Sequence, residues 1–140
     1  MKILLLGKNG FVAKKFTYAL RERPFIGIGR EDLNYYNKTL LFDFISINSI
    51  DVIINAAGFT GKPNVDSCEL AKHECLRGNA VLPGIIREVC EDLNIQWGHI
   101  SSGCVYSGRR PDAGGWTEED VPNFSFRSPP CSFYSGTKAL

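Results

Sequence analysis

The chain has 140 residues, 44% hydrophobic and 22% charged, which is one domain's worth of sequence with enough apolar material for a core and excludes a disordered segment. Sixteen Lys and Arg against fifteen Asp and Glu leave a net charge of +1, so nothing in the charge balance points to nucleic acid or an anionic membrane surface. Its apolar runs fall far below the roughly 20 residues of a membrane span, and Gly7-Lys8-Asn9-Gly10 interrupts the first of them too early for a signal peptide, which predicts a cytoplasmic location.

Residues 2–6 form a short apolar run and read as a buried strand. After the glycine-containing turn, Phe11, Val12, Phe16, Ala19 and Leu20 recur at helical spacing, and Pro24 marks the stop. Residues 25–28 read as a second strand closed by Gly29, and residues 31–50 as a loop with a short helix. A third, isoleucine-rich strand is predicted over 51–56. A helix is predicted over 71–92, with Gly78 and Pro83 disturbing its first half, and a fourth strand over 96–101. Glycine, serine and proline breaks make 107–132 a long surface loop, and residues 132–140 read as the beginning of another helix.

Apolar strands separated by helical patterns indicate parallel βαβ units. The predicted class is therefore α/β, a doubly wound parallel sheet of the Rossmann type with about four strands. Complete folds of this kind commonly have six, so residues 1–140 are expected to be an NAD(P)-binding Rossmann domain, the N-terminal part of something longer, without the substrate domain. A fourth strand left unpaired on one side predicts self-association, for example as a homodimer, or low solubility.

The five cysteines contain no CxxC pair and read as free thiols. Cys68, His73 and Cys75 are close in sequence but lack a second ligand pair, so no metal is expected.

Small residues at Gly7, Gly10 and Ala13 lie between the first strand and the first helix. A dinucleotide site needs them there. Gly7 turns sharply, Gly10 lets backbone approach a pyrophosphate, Ala13 allows close helix–strand packing, and the helix N-terminus offers free N–H groups. Gly7, Asn9, Gly10, Phe11 and Val12 are thus candidate cofactor-binding residues. Arg30, just after the second strand, suits a 2′-phosphate and favours NADPH, with NADH as the alternative, although Glu31 and Asp32 follow it. Tyr134 and Lys138 stand four residues apart, on one face of a helix. A phenol near pKa 10 becomes useful in proton transfer when a cation stands beside it. Ser102 falls at the end of the fourth strand, where doubly wound folds place functional groups.

The GxxGxx(G/A) spacing, the Asn55-Ala56-Ala57-Gly58 turn, the Ser102-Gly103-Cys104-Val105-Tyr106 strand end and Tyr134-Ser135-Gly136-Thr137-Lys138 together resemble the extended short-chain dehydrogenase/reductase family. The resemblance covers nearly the whole chain. It implies that Ser102 hydrogen-bonds the substrate oxygen, that Tyr134 transfers a proton, and that Lys138 holds the nicotinamide ribose and acts on Tyr134. It places Asn55, Ala56 and Ala57 against the cofactor. Asn79 matches a helix asparagine that supports the site, or else is a helix cap or surface residue. Asp43-Phe44 matches an adenine-contacting pair, with a register uncertain by one residue.

Within that family, the stretch from Asn55 to Glu69, Gly103-Cys104, residues 118–124 and Ser132-Phe133-Tyr134-Ser135 resemble the plant-type nucleotide-sugar 3,5-epimerase/4-reductases of UDP-L-rhamnose synthesis. The resemblance implies an NADPH-dependent enzyme acting on a 4-keto-6-deoxy-hexose nucleotide. Related dTDP-4-dehydrorhamnose reductases usually carry Thr-Asp-Tyr where this chain has Ser102-Gly103-Cys104. Epimerisation beside a ketone removes and returns a carbon-bound proton, and a thiol of pKa near 8.5 suits that task. Cys104 is the candidate, against the alternative of a small residue filling the strand end. The competing readings are a reductase without epimerase activity and a non-catalytic cofactor-binding fragment.

Overall fold

A computed structural model describes all 140 residues. The chain divides into two compact units.

The first unit comprises Met1–Gly58 and Val81–Ile100. It holds strands β1 (Ile3–Leu6), β2 (Phe25–Ile28), β3 (Val52–Asn55) and β4 (Gln96–His99), with helices α1 (Phe11–Ala19), α2 (Lys38–Ile47) and α4 (Leu82–Leu93). The sheet is wholly parallel in the order β2-β1-β3-β4, with Ile3 level with Phe25 and Val52, and Val52 level with Gln96. This is the α/β Rossmann-like architecture expected from the sequence.

All four residues of β1, Ile-Leu-Leu-Leu, are buried, the pattern of a central parallel strand covered on both faces. β4 lies at the sheet edge and alternates exposed and half-buried positions. Helix α2 is the short helix expected within residues 31–50. The Asn37 side chain accepts from the Leu40 N–H at 3.1 Å, and Leu41 and Ile45, one turn apart, are buried. Helix α4 begins at Leu82 with Pro83 in its first turn, where a missing N–H costs nothing, and buries Leu82, Ile86, Val89 and Cys90. It ends at Asn94 in the left-handed conformation (φ 52°). Helices α2 and α4 pack together, and their buried faces join Leu4, Leu6, Ile28 and Ile53 in one core. Each such side chain contributes roughly 1.5–3 kcal/mol by leaving water.

The second unit comprises Phe59–Ala80 and Ser101–Leu140. It contains a 3-10 turn at Val65–Glu69, the short helix α3 (Lys72–Leu76), a second 3-10 turn at Gly103–Val105 and helix α5 (Phe133–Lys138). A π-helical turn, Arg77–Val81, continues from α3. Its core is Cys68, Cys75 and Tyr134, with Phe59, Val65 and Phe133 against them. Residues 107–132 contain no helix or strand, as predicted, yet the stretch is tied to itself. Tyr106 stacks on Trp116 with ring centres 5.8 Å apart, and Asn123 and Ser107 exchange hydrogen bonds at 2.8 and 3.0 Å. No helix of the chain is long and apolar enough to cross a membrane.

Candidate active site

In the first unit, the chain leaves β1 for β2, then returns past β1 to β3, so the strand order reverses between β1 and β3. Ligands of doubly wound sheets bind beyond the carboxyl ends of the strands at such a reversal. The turn after β1 occupies that place. Gly7 has φ +81°, and a Cβ there would lie 2.8 Å from the backbone N and Cα of Ala57, so the turns after β1 and β3 meet backbone to backbone. The Gly10 N–H donates to the Gly7 carbonyl at 2.8 Å, and Gly10 opens α1 with no side-chain cap and no acidic residue in the first turn. The first N–H groups of α1 therefore have no intrahelical or side-chain acceptor. Phe11 and Val12 are exposed beside them, and Ala13 is fully buried. This cradle of bare backbone donors fits the pyrophosphate of a dinucleotide.

Asn55, at the end of β3, is fully buried and engaged: it hydrogen-bonds His99 Nδ1 at 3.0 Å, and its Oδ1 accepts from the Ala57 N–H at 3.0 Å. Its side chain shapes the turn that carries Ala56 and Ala57. Asp43 sits in mid-helix on the exposed face of α2, between the buried Leu41 and Ile45. Arg30 is exposed after β2.

The acidic residues beside Arg30 are held elsewhere. Lys8 Nζ pairs with Asp32 at 2.6 Å and with Glu31 at 3.5 Å. The Asn9 amide donates to Glu31 Oε1 at 2.7 Å, and the Gly29 N–H to Asp32 Oδ2 at 2.7 Å. Backbone and Asn9 hydrogen bonds pull the Glu31 carboxyl below its usual pKa, and the Gly29 and Lys8 bonds do the same for Asp32. The part Lys8 plays here is invisible to local pattern, because its partners lie more than twenty residues away.

In the second unit, Ser102, Cys104, Tyr134 and Lys138 come together around α5. Ser102 opens the turn Gly103–Val105, its hydroxyl accepting from the Cys104 N–H at 3.2 Å. Tyr134 is 7% exposed. Burial pushes its phenol above the usual pKa, a hydrogen bond with Ser102 pulls the other way, and Cys104 is near enough that its thiolate would push it up further. Lys138, one helical turn on, is half-buried, and burial lowers its ammonium pKa. Cys104 is exposed. The phenol is thus a protonated donor at neutral pH, with a hydroxyl and a thiol beside it.

Helix α5 is held from behind by a network that the sequence marked only at Asn79. In the π-helical turn, Asn79 is buried; its Oδ1 accepts from the Phe59 N–H at 2.9 Å, and its amide donates to the Phe59 carbonyl at 2.9 Å and to Thr137 Oγ1 at 3.3 Å. Thr137 in turn donates to the Tyr134 carbonyl at 2.8 Å and lies 3.3 Å from Cys75 Sγ. Asn79 is therefore a buried support of helix α5, not a surface residue. Cys68 and Cys75 are buried in this core while His73 is exposed; burial, with Cys75 as hydrogen-bond neighbour, pushes the Cys68 thiol up to about 12.

A parallel sheet with a glycine cradle at its strand-order reversal, on a chain that also carries Ser102, Tyr134 and Lys138 in that order, defines a short-chain dehydrogenase/reductase of the extended type. Comparison with known proteins narrows the class. The chain belongs to the family of the RmlD substrate binding domain, which matches residues 1–140. It is 34% identical over 148 residues to the trifunctional UDP-glucose 4,6-dehydratase/UDP-4-keto-6-deoxy-D-glucose 3,5-epimerase/UDP-4-keto-L-rhamnose-reductase RHM1 of Arabidopsis thaliana, covering 100% of this chain and 21% of that protein. The fold matches the UDP-rhamnose synthase of Acanthamoeba polyphaga mimivirus with a TM-score of 0.83 at 24% identity, over 99% of this chain and 49% of the other. It also matches the dTDP-4-dehydrorhamnose reductase of Bacillus anthracis in complex with NADP, with a TM-score of 0.75 at 20% identity, over 98% and 46% of the two chains. The chain thus spans about a fifth of the curated relative and about half of each solved structure.

Proposed function

We propose that this chain carries out the reduction of a 4-keto-6-deoxy-hexose nucleotide with NADPH, and that it also epimerises the sugar at its 3- and 5-carbons, giving an L-rhamnose-type product. The observation that carries the reading is the buried Tyr134 phenol with Ser102 and Cys104 beside it. The relatives named above, a UDP-4-keto-L-rhamnose reductase portion among them, support the substrate class.

Gly7, Gly10 and the first N–H groups of α1 would hold the pyrophosphate, with Lys138 on the nicotinamide ribose. When bound, a reduced nicotinamide supplies a hydride to the carbonyl carbon. The chain's own residues manage the oxygen. Ser102 donates a hydrogen bond to it, and Tyr134 gives it the phenolic proton as charge develops, so that the ketone becomes an alcohol. Lys138 stabilises the phenolate left behind. For epimerisation, Cys104 exchanges the protons next to the ketone. The free cysteines suit a reducing compartment such as the cytoplasm.

The test separates the two chemistries in the protein carrying this chain. Cys104→Ser keeps the side-chain size but moves its pKa far above neutrality. Deuterium incorporation at the 3- and 5-carbons, followed by NMR, is expected to fall by roughly 10²-fold. Reduction of an already epimerised 4-keto sugar, followed by NADPH absorbance, should persist. Exchange at the wild-type rate would make Cys104 a packing residue and leave the reductase-only reading.

Arg30 supports NADPH over NADH, because Lys8, Asn9 and Gly29 engage the two neighbouring carboxylates. Arg30→Ala is expected to weaken NADPH by about tenfold, on the scale of one charge-assisted contact, and NADH hardly at all. Calorimetric titration of both cofactors decides it, and equal losses would reject the assignment.

A further inference from the structure

Helix α5 has only six residues, Phe133–Lys138, too few to be stable by themselves. Its first turn is closed locally by Ser132, whose hydroxyl accepts from the Ser135 N–H at 3.1 Å. Distant parts of the second unit converge on Phe133, the residue before Tyr134. Glu69 Oε1, at the end of the turn Val65–Glu69, accepts from the Phe133 N–H at 2.7 Å across 64 residues of sequence. Lys72 Nζ lies 5.4 Å from the centre of the Phe133 ring. Phe126 packs against the same ring with centres 5.5 Å apart, and it fills the space over Gly136 that a Cβ would need. The two ends of the clamp differ in kind. Lys72 and Phe126 hold the ring by soft, adjustable contacts, whereas Glu69 fixes a backbone atom at hydrogen-bond length. A carboxylate at a helix start also answers the positive end of the helix dipole.

We infer that Glu69 is a positioning residue for Tyr134: by holding the Phe133 N–H it fixes the start of α5, and through it the phenol against Ser102. The inference rests on the reading above, in which Tyr134 is the proton donor. Glu69 itself touches neither substrate nor cofactor in this role. An acceptor oxygen is the essential requirement, and the charge strengthens it, so the order of function is Glu, then Gln, then Ala.

The test compares wild type, Glu69→Gln and Glu69→Ala by amide hydrogen exchange at Phe133 and by kcat and KM for 4-keto sugar reduction. Glu69→Ala is expected to speed exchange at Phe133 roughly tenfold, on the scale of losing a helix N-terminal acceptor. It should lower kcat several-fold with KM unchanged, and Glu69→Gln should restore most of both. Should the alanine variant not fold, Glu69→Gln alone must show faster exchange at Phe133 than wild type. Wild-type exchange in Glu69→Ala, or a kcat loss that Gln leaves unrescued, overturns the assignment. Tyr134→Phe is measured alongside. Undiminished reduction there rejects Tyr134 as proton donor, while exchange at Phe133 still judges the clamp by itself.

Discussion

Replacing Tyr134 by Phe is expected to cut NADPH-dependent reduction by about 10³-fold, within the range for removal of a general acid, while deuterium exchange at the 3- and 5-carbons continues. The substitution removes one hydroxyl and keeps the ring in the core with Cys68 and Cys75, so the fold should survive. The same phenol sets a pH dependence. Burial disfavours the phenolate and raises the pKa, against a smaller opposing effect from the Ser102 hydrogen bond. The donor form therefore persists through neutral pH, and reduction should decline only as the pH climbs past the ordinary phenol value of about 10. A pH–rate profile that falls instead between 6 and 8 would assign the proton to another group.

Gly7→Ala is expected to be the most damaging single methyl group in the first unit. The residue sits at φ +81°, where an L side chain is strained, and the new Cβ would meet backbone atoms of Ala57 at 2.8 Å. Backbone cannot swing aside as a side chain can. Together these effects cost roughly 2–4 kcal/mol, about 10 °C in thermal midpoint for a chain of this size. The cradle for the pyrophosphate would be displaced as well, and NADPH affinity should drop by at least an order of magnitude. Gly84→Ala provides the control: it lies in α4 with nothing within 4 Å of the added carbon, so it should leave stability unchanged or raise it by up to about 1 kcal/mol. Thermal melts and calorimetric titration of the two variants measure both effects.

Where local chemistry decides structure, the sequence was readable. The run Ile3–Leu6, the glycine at 7 and the break before β2 fix β1, the cradle and α1 within a few residues of each other. Helix α2 was expected as a short helix within 31–50 but its bounds were not legible, because Lys38–Ile47 is apolar around most of its circumference and shows no clean period. Asp43, the candidate adenine contact, lies on the exposed face of this helix. The Ser102 and Tyr134 pairing was legible from motif order, since the family resemblance supplied a contact between positions 32 residues apart. The supports of α5 were not. Asn79 reaches Phe59 and Thr137 across 20 and 58 residues, and Glu69 reaches Phe133 across 64. Such bonds leave no periodic trace in the chain, and a π-helical turn has no propensity signature beyond the glycine at 78.

The division of the chain into two units also has an optical consequence. The sequence contains two tryptophans. Trp97 lies on β4, packed against the core of the sheet unit, and Trp116 lies in the other unit, stacked on Tyr106. Each unit therefore carries its own fluorophore, in an environment of its own. Emission from a Trp116→Phe protein reports only the sheet, and emission from a Trp97→Phe protein reports only the part that bears Ser102, Cys104 and Tyr134. The two single-tryptophan proteins follow the two halves as separate signals, one for the half that would take up a dinucleotide and one for the half that would handle protons.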